Sequence, residues 1–99
     1  MIKHLTNANE FEEAVKGEVA LVDFFATWCG PCQMLAPVLE QFSHEFAGNI
    51  VKIDVDEIPD LARQFRVMSI PTLMLFKDGK FVKKELGFMP IERLREFVK

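Results

Sequence analysis

Two cysteines, Cys29 and Cys32, are the residues of this chain best suited to covalent chemistry. They lie in the sequence Trp28-Cys29-Gly30-Pro31-Cys32, where an apolar run gives way to a helical pattern. At positions i and i+3 around a helix start, two Cα atoms can lie within the roughly 4.4–6.8 Å that a disulfide requires. Pro31 suits a first helical turn, and Gly30 lets the chain bend into it. The spacing therefore predicts a dithiol–disulfide couple.

The two thiols are expected to differ in reactivity. Cys29 would lie beside the unpaired N–H groups of the helix start, where the helix dipole contributes up to about 2 kcal/mol in a partly buried site and favours the thiolate. We therefore predict Cys29 as the nucleophile. Cys32, one turn further along, should be less exposed and act as the resolving thiol.

Other uses of a Cys-x-x-Cys sequence fit this chain less well. A purely structural disulfide over so short a loop would stabilise the fold by only roughly 2 kcal/mol, and it would not persist in a reducing cell. Zinc needs a second pair of ligands, and His4 and His44 are isolated from each other. Haem attachment needs a histidine where the chain has Gln33. We predict no metal site.

The elements that must position the cysteines follow from the apolar pattern. Strands are predicted at 2–5, 19–26, 50–55, 72–76 and 81–86. The helices are predicted to begin after a cap at Asn7, at Pro31, after a cap at Asp56 and at Pro90. The long helix from Pro31 should end at Gly48. The order β-α-β-α-β-α-β-β-α favours an α/β fold in which a parallel portion and a terminal hairpin form one mixed sheet.

Length and charge limit the number of domains and the kinds of partner that this chain can have. The chain has 99 residues and a net charge of −3, which predicts a single domain over 1–99. Its basic residues are spread along the chain, so neither nucleic acid nor a membrane is expected as the partner. No apolar stretch approaches the roughly 18 residues that span a bilayer, and no secretion signal is visible. We therefore expect an intracellular protein.

A charged residue, Asp23, interrupts the buried run at 19–26. A carboxylate there would be poorly hydrated, which should raise its pKa. The pattern alone leaves open that Asp23 reaches solvent. Lys52, in the strand at 50–55, has the pattern of a solvent-facing residue.

The chain closely resembles the thioredoxin family over essentially its full length. The matching segments are VDFFATWCGPC at 22–32, Pro37, KIDVDE at 52–57, SIPTLMLFKDG at 69–79 and Gly87. The resemblance implies a thioredoxin fold, with a central mixed five-stranded sheet flanked by four helices. It also implies a protein-disulfide reductase that needs no bound cofactor. Such a protein carries electrons from a thioredoxin reductase to disulfide-containing protein substrates. We expect this protein to be cytoplasmic, and a lone domain with a working docking face indicates a monomer.

The same resemblance assigns roles to residues around the cysteines. Asp23 would be buried and would take the proton from Cys32 through water. Lys52 would lie near Asp23 and bias its titration. Gly30 and Pro31, between the cysteines, would help to set the redox potential.

Substrate binding is also assigned through the resemblance. The Ile70–Pro71 bond would be cis and lie against the cysteine turn, keeping metal away from the thiols. The backbone of Ile70 would pair with an extended substrate segment. Trp28, Gly87 and the Gly30–Pro31 turn would complete a flat apolar docking surface.

Three methionines lie close in sequence to this surface, namely Met34, Met68 and Met89. We predict that at least two of them edge it and help it to adapt to varied substrates. The alternative is that they fill gaps in the core.

The chain departs from the family pattern at Phe25, Gln33, Ser69 and Phe88. All four are expected to border the docking surface and to leave the redox chemistry untouched. Two rival functions stay open. One is a disulfide oxidase or isomerase, although those relatives tend to carry histidine between the cysteines. The other is a non-catalytic module that docks a larger enzyme.

Overall fold

The computed structural model describes residues 1–99 and contains every strand and helix that the sequence predicts. The strands are β1 (Ile2–His4), β2 (Ala20–Phe25), β3 (Asn49–Asp54), β4 (Thr72–Lys77) and β5 (Lys80–Leu86). The helices are α1 (Phe11–Ala14), α2 (Gly30–Ser43), α3 (Pro59–Gln64) and α4 (Ile91–Phe97), and a 3-10 turn (Ala8–Glu10) precedes α1. None of these helices is long and apolar enough to cross a membrane.

The five strands form one mixed sheet in the order β1-β3-β2-β4-β5. β3 pairs in parallel with both β1 and β2, whereas β4 is antiparallel to β2 and to β5. This confirms the predicted α/β class and the mixed five-stranded sheet. Because β2 and β4 are antiparallel neighbours, the C-terminal end of β2 and the N-terminal end of β4 lie side by side at the same end of the sheet.

The central strand β2 is buried on both faces, as its continuous apolar sequence predicts. On one face, Val22 and Phe24 pack in a cluster with residues of α1 and α3. On the other face, Leu21 packs with Leu35 and Leu39 of α2, together with residues of α4. The sheet therefore separates two apolar layers, and α2 lies over the second.

Two predicted helix boundaries are wrong. α2 ends at Ser43 and not at Gly48, because the backbone tightens after it: the His44 N–H donates to the Gln41 carbonyl, only three residues back. α3 begins at Pro59 without a side-chain cap, so Asp56 does not cap it. The Asp54 carboxylate instead accepts the N–H of Asp56 at 2.8 Å and orders the turn before α3.

Candidate active site

A disulfide joins Cys29 and Cys32 at the first turn of α2, as the spacing predicts, with the two Cα atoms 5.2 Å apart. Cys29 is the N-cap residue, and its Sγ accepts the N–H of Cys32 at 3.2 Å. Its carbonyl accepts the N–H of Gln33 at 3.0 Å. Pro31 lies in the first turn, where its missing N–H costs nothing. The Sγ of Cys29 thus occupies the helix position at which unpaired N–H groups favour negative charge.

The two cysteines do not differ in exposure in this disulfide form. Cys29 is 5% exposed and Cys32 is 4% exposed, so the prediction that Cys32 is the less exposed of the two is not supported. They differ in their neighbours instead. The Sγ of Cys29 lies 3.8 Å from the carbonyl oxygen of Ile70, at the end of the sheet where β4 begins. Cys32 lies one turn further into α2.

Asp23 lies on the face of the sheet that α2 covers. Side chains two residues apart on a strand share a face, so Asp23 is on the same side as Leu21. Leu21 packs against Leu35 and Leu39, and Cys32 precedes Leu35 by one helical turn. The Asp23 carboxylate is therefore directed towards the layer beneath the start of α2, near the end of β2.

The Asp23 side chain is buried, at 1% exposure, which rules out the alternative that it reaches solvent. Burial raises the pKa of its carboxyl to about 6, and the positive charge and hydrogen bonding of Lys52 oppose that rise. The Lys52 Nζ lies 3.5 Å from Oδ2. The Asp23 Oδ1 has no hydrogen-bond partner in the protein, so it is free to accept a proton.

Lys52 is held in place and does not face solvent, so the expectation from its strand pattern is wrong. Its side chain is 9% exposed. It is opposite Asp23 in the β2–β3 register, and its Nζ lies 4.5 Å from the centroid of the Phe25 ring. This is a cation–π distance. Phe25 therefore contacts Lys52 of the charged pair, and its place at the border of the docking surface stays a prediction.

The predicted docking residues from the second half of the chain come together beside the disulfide. The Ile70–Pro71 bond is cis, as the family resemblance implies. The N–H of Gly87 donates to the Pro71 carbonyl at 2.8 Å, which places Gly87 next to this segment. Ile70 packs against the small cluster that contains Cys29 and Cys32.

Trp28 projects from the surface beside the disulfide and is 68% exposed. Its indole N–H donates to Oδ2 of Asp56 at 2.8 Å, across 28 residues of sequence. A depression of about 180 Å³ opens beside it, lined by Trp28, Val55, Val67, Met68, Ser69 and Ile70. Asp56 thus fixes the orientation of an exposed indole, a role that no local pattern in the sequence indicates.

The three methionines divide between surface and core. Met68 lines the depression and is 92% exposed, which confirms its predicted place. Met89 is 1% exposed within the core against α4, so it fills the core, and the prediction that at least two of the three edge the docking surface now depends on Met34. Met34 is exposed on α2 but does not line the depression, and its contribution to substrate docking stays a prediction.

Comparison with known proteins places these features in a family. The family model described as Thioredoxin matches residues 2–99. Thioredoxin of Staphylococcus saprophyticus is 52% identical over 99 residues, covering 98% of this chain and 94% of the relative. Thioredoxin of Staphylococcus haemolyticus is 54% identical over 97 residues, covering 96% of this chain and 92% of the relative.

The similar solved structures are also thioredoxins. A mutant thioredoxin from Halobacterium salinarum superposes with a TM-score of 0.93 at 37% identity, covering 98% of this chain and 87% of that one. Reduced thioredoxin pre-protein of Schistosoma mansoni gives a TM-score of 0.90 at 31% identity, covering 98% of this chain and 94% of that one.

Proposed function

The chain belongs to the thioredoxin family and is a thiol–disulfide oxidoreductase, and we propose that it reduces protein disulfides with Cys29 as the attacking and Cys32 as the resolving thiol. The observation that carries this proposal is the disulfide at the start of α2, with Cys29 as the N-cap residue beside the Ile70 carbonyl. A thiolate at that position gains from the helix N-terminus and from the N–H of Cys32.

The reaction exchanges disulfides in two steps. The Cys29 thiolate attacks one sulfur of the target disulfide, forming a Cys29–target bond while the other target sulfur leaves as a thiolate and takes a proton. Cys32 then loses its proton and attacks the Cys29 sulfur. The Cys29–Cys32 bond forms and the second target sulfur leaves, so two electrons have passed to the target. Both electrons move between sulfurs, and the exchange uses no bound cofactor.

Asp23 is the residue that we assign to the proton of Cys32. Its carboxyl lies beneath the start of α2 with an unpartnered oxygen, and burial raises its pKa to about 6, close to a physiological pH. A base with such a pKa is well matched to proton transfer near neutral pH. We assign to Lys52 the tuning of Asp23, through the 3.5 Å contact, and to Gly30 and Pro31 the shape of the turn that sets the redox potential.

Substrate docking is assigned to the surface around the disulfide. Trp28 supplies exposed aromatic area, and the depression beside it receives apolar side chains. The Ile70 backbone would pair with an extended target segment, and Pro71 and Gly87, joined by their hydrogen bond, would border that segment.

The partners and the cellular compartment are proposed from the disulfide-reducing activity. We propose that a thioredoxin reductase restores the dithiol and that the protein works in the cytoplasm, because a disulfide reductase needs a reducing compartment. We further propose that residues 1–99 form one domain that acts as a monomer, since the docking surface must stay free for its targets.

The reduction potential of the Cys29–Cys32 couple tests this proposal, with Trp28 fluorescence as the readout in a dithiol buffer series. We expect a two-electron transition below about −240 mV, among cellular reductants. A potential above about −200 mV would assign the protein to the oxidases or isomerases. No transition would leave only the non-catalytic docking module, which should keep its partner function when both cysteines are replaced by serine.

The order of the two thiols needs a separate experiment. Cys32→Ser should accumulate a mixed disulfide with an oxidised target protein, because the resolving thiol is missing. The matched variant Cys29→Ser should accumulate none. Mass spectrometry under non-reducing conditions distinguishes them, and equal trapping by both variants would contradict the assigned order.

A further inference from the structure

A second depression continues the one beside Trp28. It has a volume of about 620 Å³ and is lined by Pro59, Ala62, Arg63, Arg66, Val67 and Met68. Val67 and Met68 line both depressions, so the two adjoin, and together they are called the groove from the redox site to α3. An extended segment advances roughly 3.3 Å per residue, so a target strand paired at Ile70 would reach the second depression within a few residues.

The far end of this groove carries positive charge that the protein does not neutralise. Arg63 forms an ion pair with Asp60. Arg66 is exposed and forms no ion pair within 4.0 Å. The Asp56 carboxylate keeps its negative charge but lies at the Trp28 end of the groove, where it accepts the indole N–H, and it forms no ion pair with Arg66. The chain as a whole has a net charge of −3, so a guanidinium without an ion pair at the end of an apolar groove gives this part of the surface the opposite sign of charge.

The backbone at Arg66 is a second, independent observation. Its φ is 54°, in the left-handed region that glycine and asparagine adopt most easily. For other residues this conformation is unfavourable, because the Cβ approaches the following carbonyl oxygen. Arg66 therefore occupies a position where glycine would be less strained, which makes its side chain a candidate for a function of its own.

We propose that the second depression is a subsite for target proteins and that Arg66 selects targets with an aspartate or glutamate close to the disulfide. The proposal rests on the proposed reductase function and adds a preference among its substrates. The exposed thioether of Met68 would contact the target chain between the redox site and Arg66, and the guanidinium would bind the carboxylate.

Disulfide-linked peptides test the preference directly. Peptides of one sequence are prepared with glutamate or glutamine at each of several positions on either side of the cysteine. Their rate constants for reduction by the dithiol protein are measured through Trp28 fluorescence at low and high salt. We expect glutamate to raise the rate about three-fold at the best position, as for an exposed ion pair, and the gain to shrink at high salt.

Three variants separate the subsite from general charge effects. Arg66→Gly removes the guanidinium and suits the backbone, so the glutamate and glutamine peptides should react with this variant at the same rate. Arg66→Lys should keep part of the preference. Lys80→Gln removes one charge at the β4–β5 turn, at the other end of the sheet, and should leave the preference unchanged.

The outcomes also distinguish this proposal from the proposed function. Equal rates for glutamate and glutamine peptides at every position, with both reduced, would overturn the acidic preference and leave the reductase intact. A preference that survives in Arg66→Gly would overturn the role of Arg66. Failure to reduce any peptide would refute the reductase function itself.

Discussion

Replacing Asp23 with asparagine should stabilise the oxidised protein at neutral pH. Burial raises the pKa of this carboxyl from 3.8 to about 6, despite the opposing charge of Lys52. Each pKa unit corresponds to about 1.4 kcal/mol, so ionised Asp23 costs the folded protein about 3 kcal/mol relative to the protonated form. Asparagine has nearly the same shape and cannot ionise, which removes this cost.

The sign of the pH dependence follows from the same pKa. The folded protein binds the Asp23 proton more tightly than the unfolded chain does, so the associated stability is full below pH 3.8. It is lost as the pH rises through about 6. The difference in unfolding free energy between Asp23→Asn and the parent should therefore increase by about 3 kcal/mol from the acid side of this window to the alkaline side.

Urea unfolding of the oxidised forms, measured from about pH 4 to about pH 8, gives this difference directly. Asp78→Asn is the matched control, because Asp78 lies exposed in the β4–β5 turn with a φ of 53° that asparagine tolerates. This variant removes one negative charge at the surface and leaves the buried Asp23–Lys52 pair in place. A constant difference for Asp23→Asn would refute the raised pKa. A difference of the opposite slope would show that Lys52 outweighs burial.

Two further predictions concern residues around this carboxyl and the docking surface. Lys52→Met should move the midpoint of the pH-dependent stability loss above pH 6, since the lysine lowers the Asp23 pKa. Urea unfolding at a series of pH values locates that midpoint. An unchanged midpoint would show that the ammonium group does not act on Asp23. Gly87→Ala should cost about 1–2 kcal/mol of unfolding free energy, because its φ is 92° and no atom within 4 Å would obstruct the added Cβ. Gly30→Ala, equally unobstructed but at an ordinary helical position, should cost clearly less in the same measurement, and equal losses would contradict the backbone explanation.

The sequence predicted those features that local pattern and residue chemistry determine. The buried run at 19–26 contains the central strand β2, and the two cysteines of the Cys-x-x-Cys sequence form a disulfide at a helix start. The end of α2 was missed because Phe42 and Phe46 continue the apolar pattern and their rings stack at 5.1 Å, although the helix has already ended. An i, i+4 pattern reports burial of side chains and does not require that the backbone stay helical.

The residues that sequence reasoning missed act through contacts distant in the chain. Asp56 follows a strand and precedes a helix, which is typical of a cap, yet its carboxylate binds the indole of Trp28. Lys52 alternates as a solvent-facing residue would, yet the Phe25 ring and Asp23 enclose it. In both cases the partner is set by the order of strands in the sheet, which no window of local sequence contains.

The strand order also divides the molecule into a reactive end and an inert end. The disulfide and the cis Ile70–Pro71 bond meet where β2 ends and β4 begins, and the Lys77–Lys80 turn lies at the opposite end. Exposed turns that carry no buried contacts tolerate insertion best. A peptide tag, a second domain or a surface tether placed between Asp78 and Gly79 would therefore leave the electron-transferring end free to meet its targets.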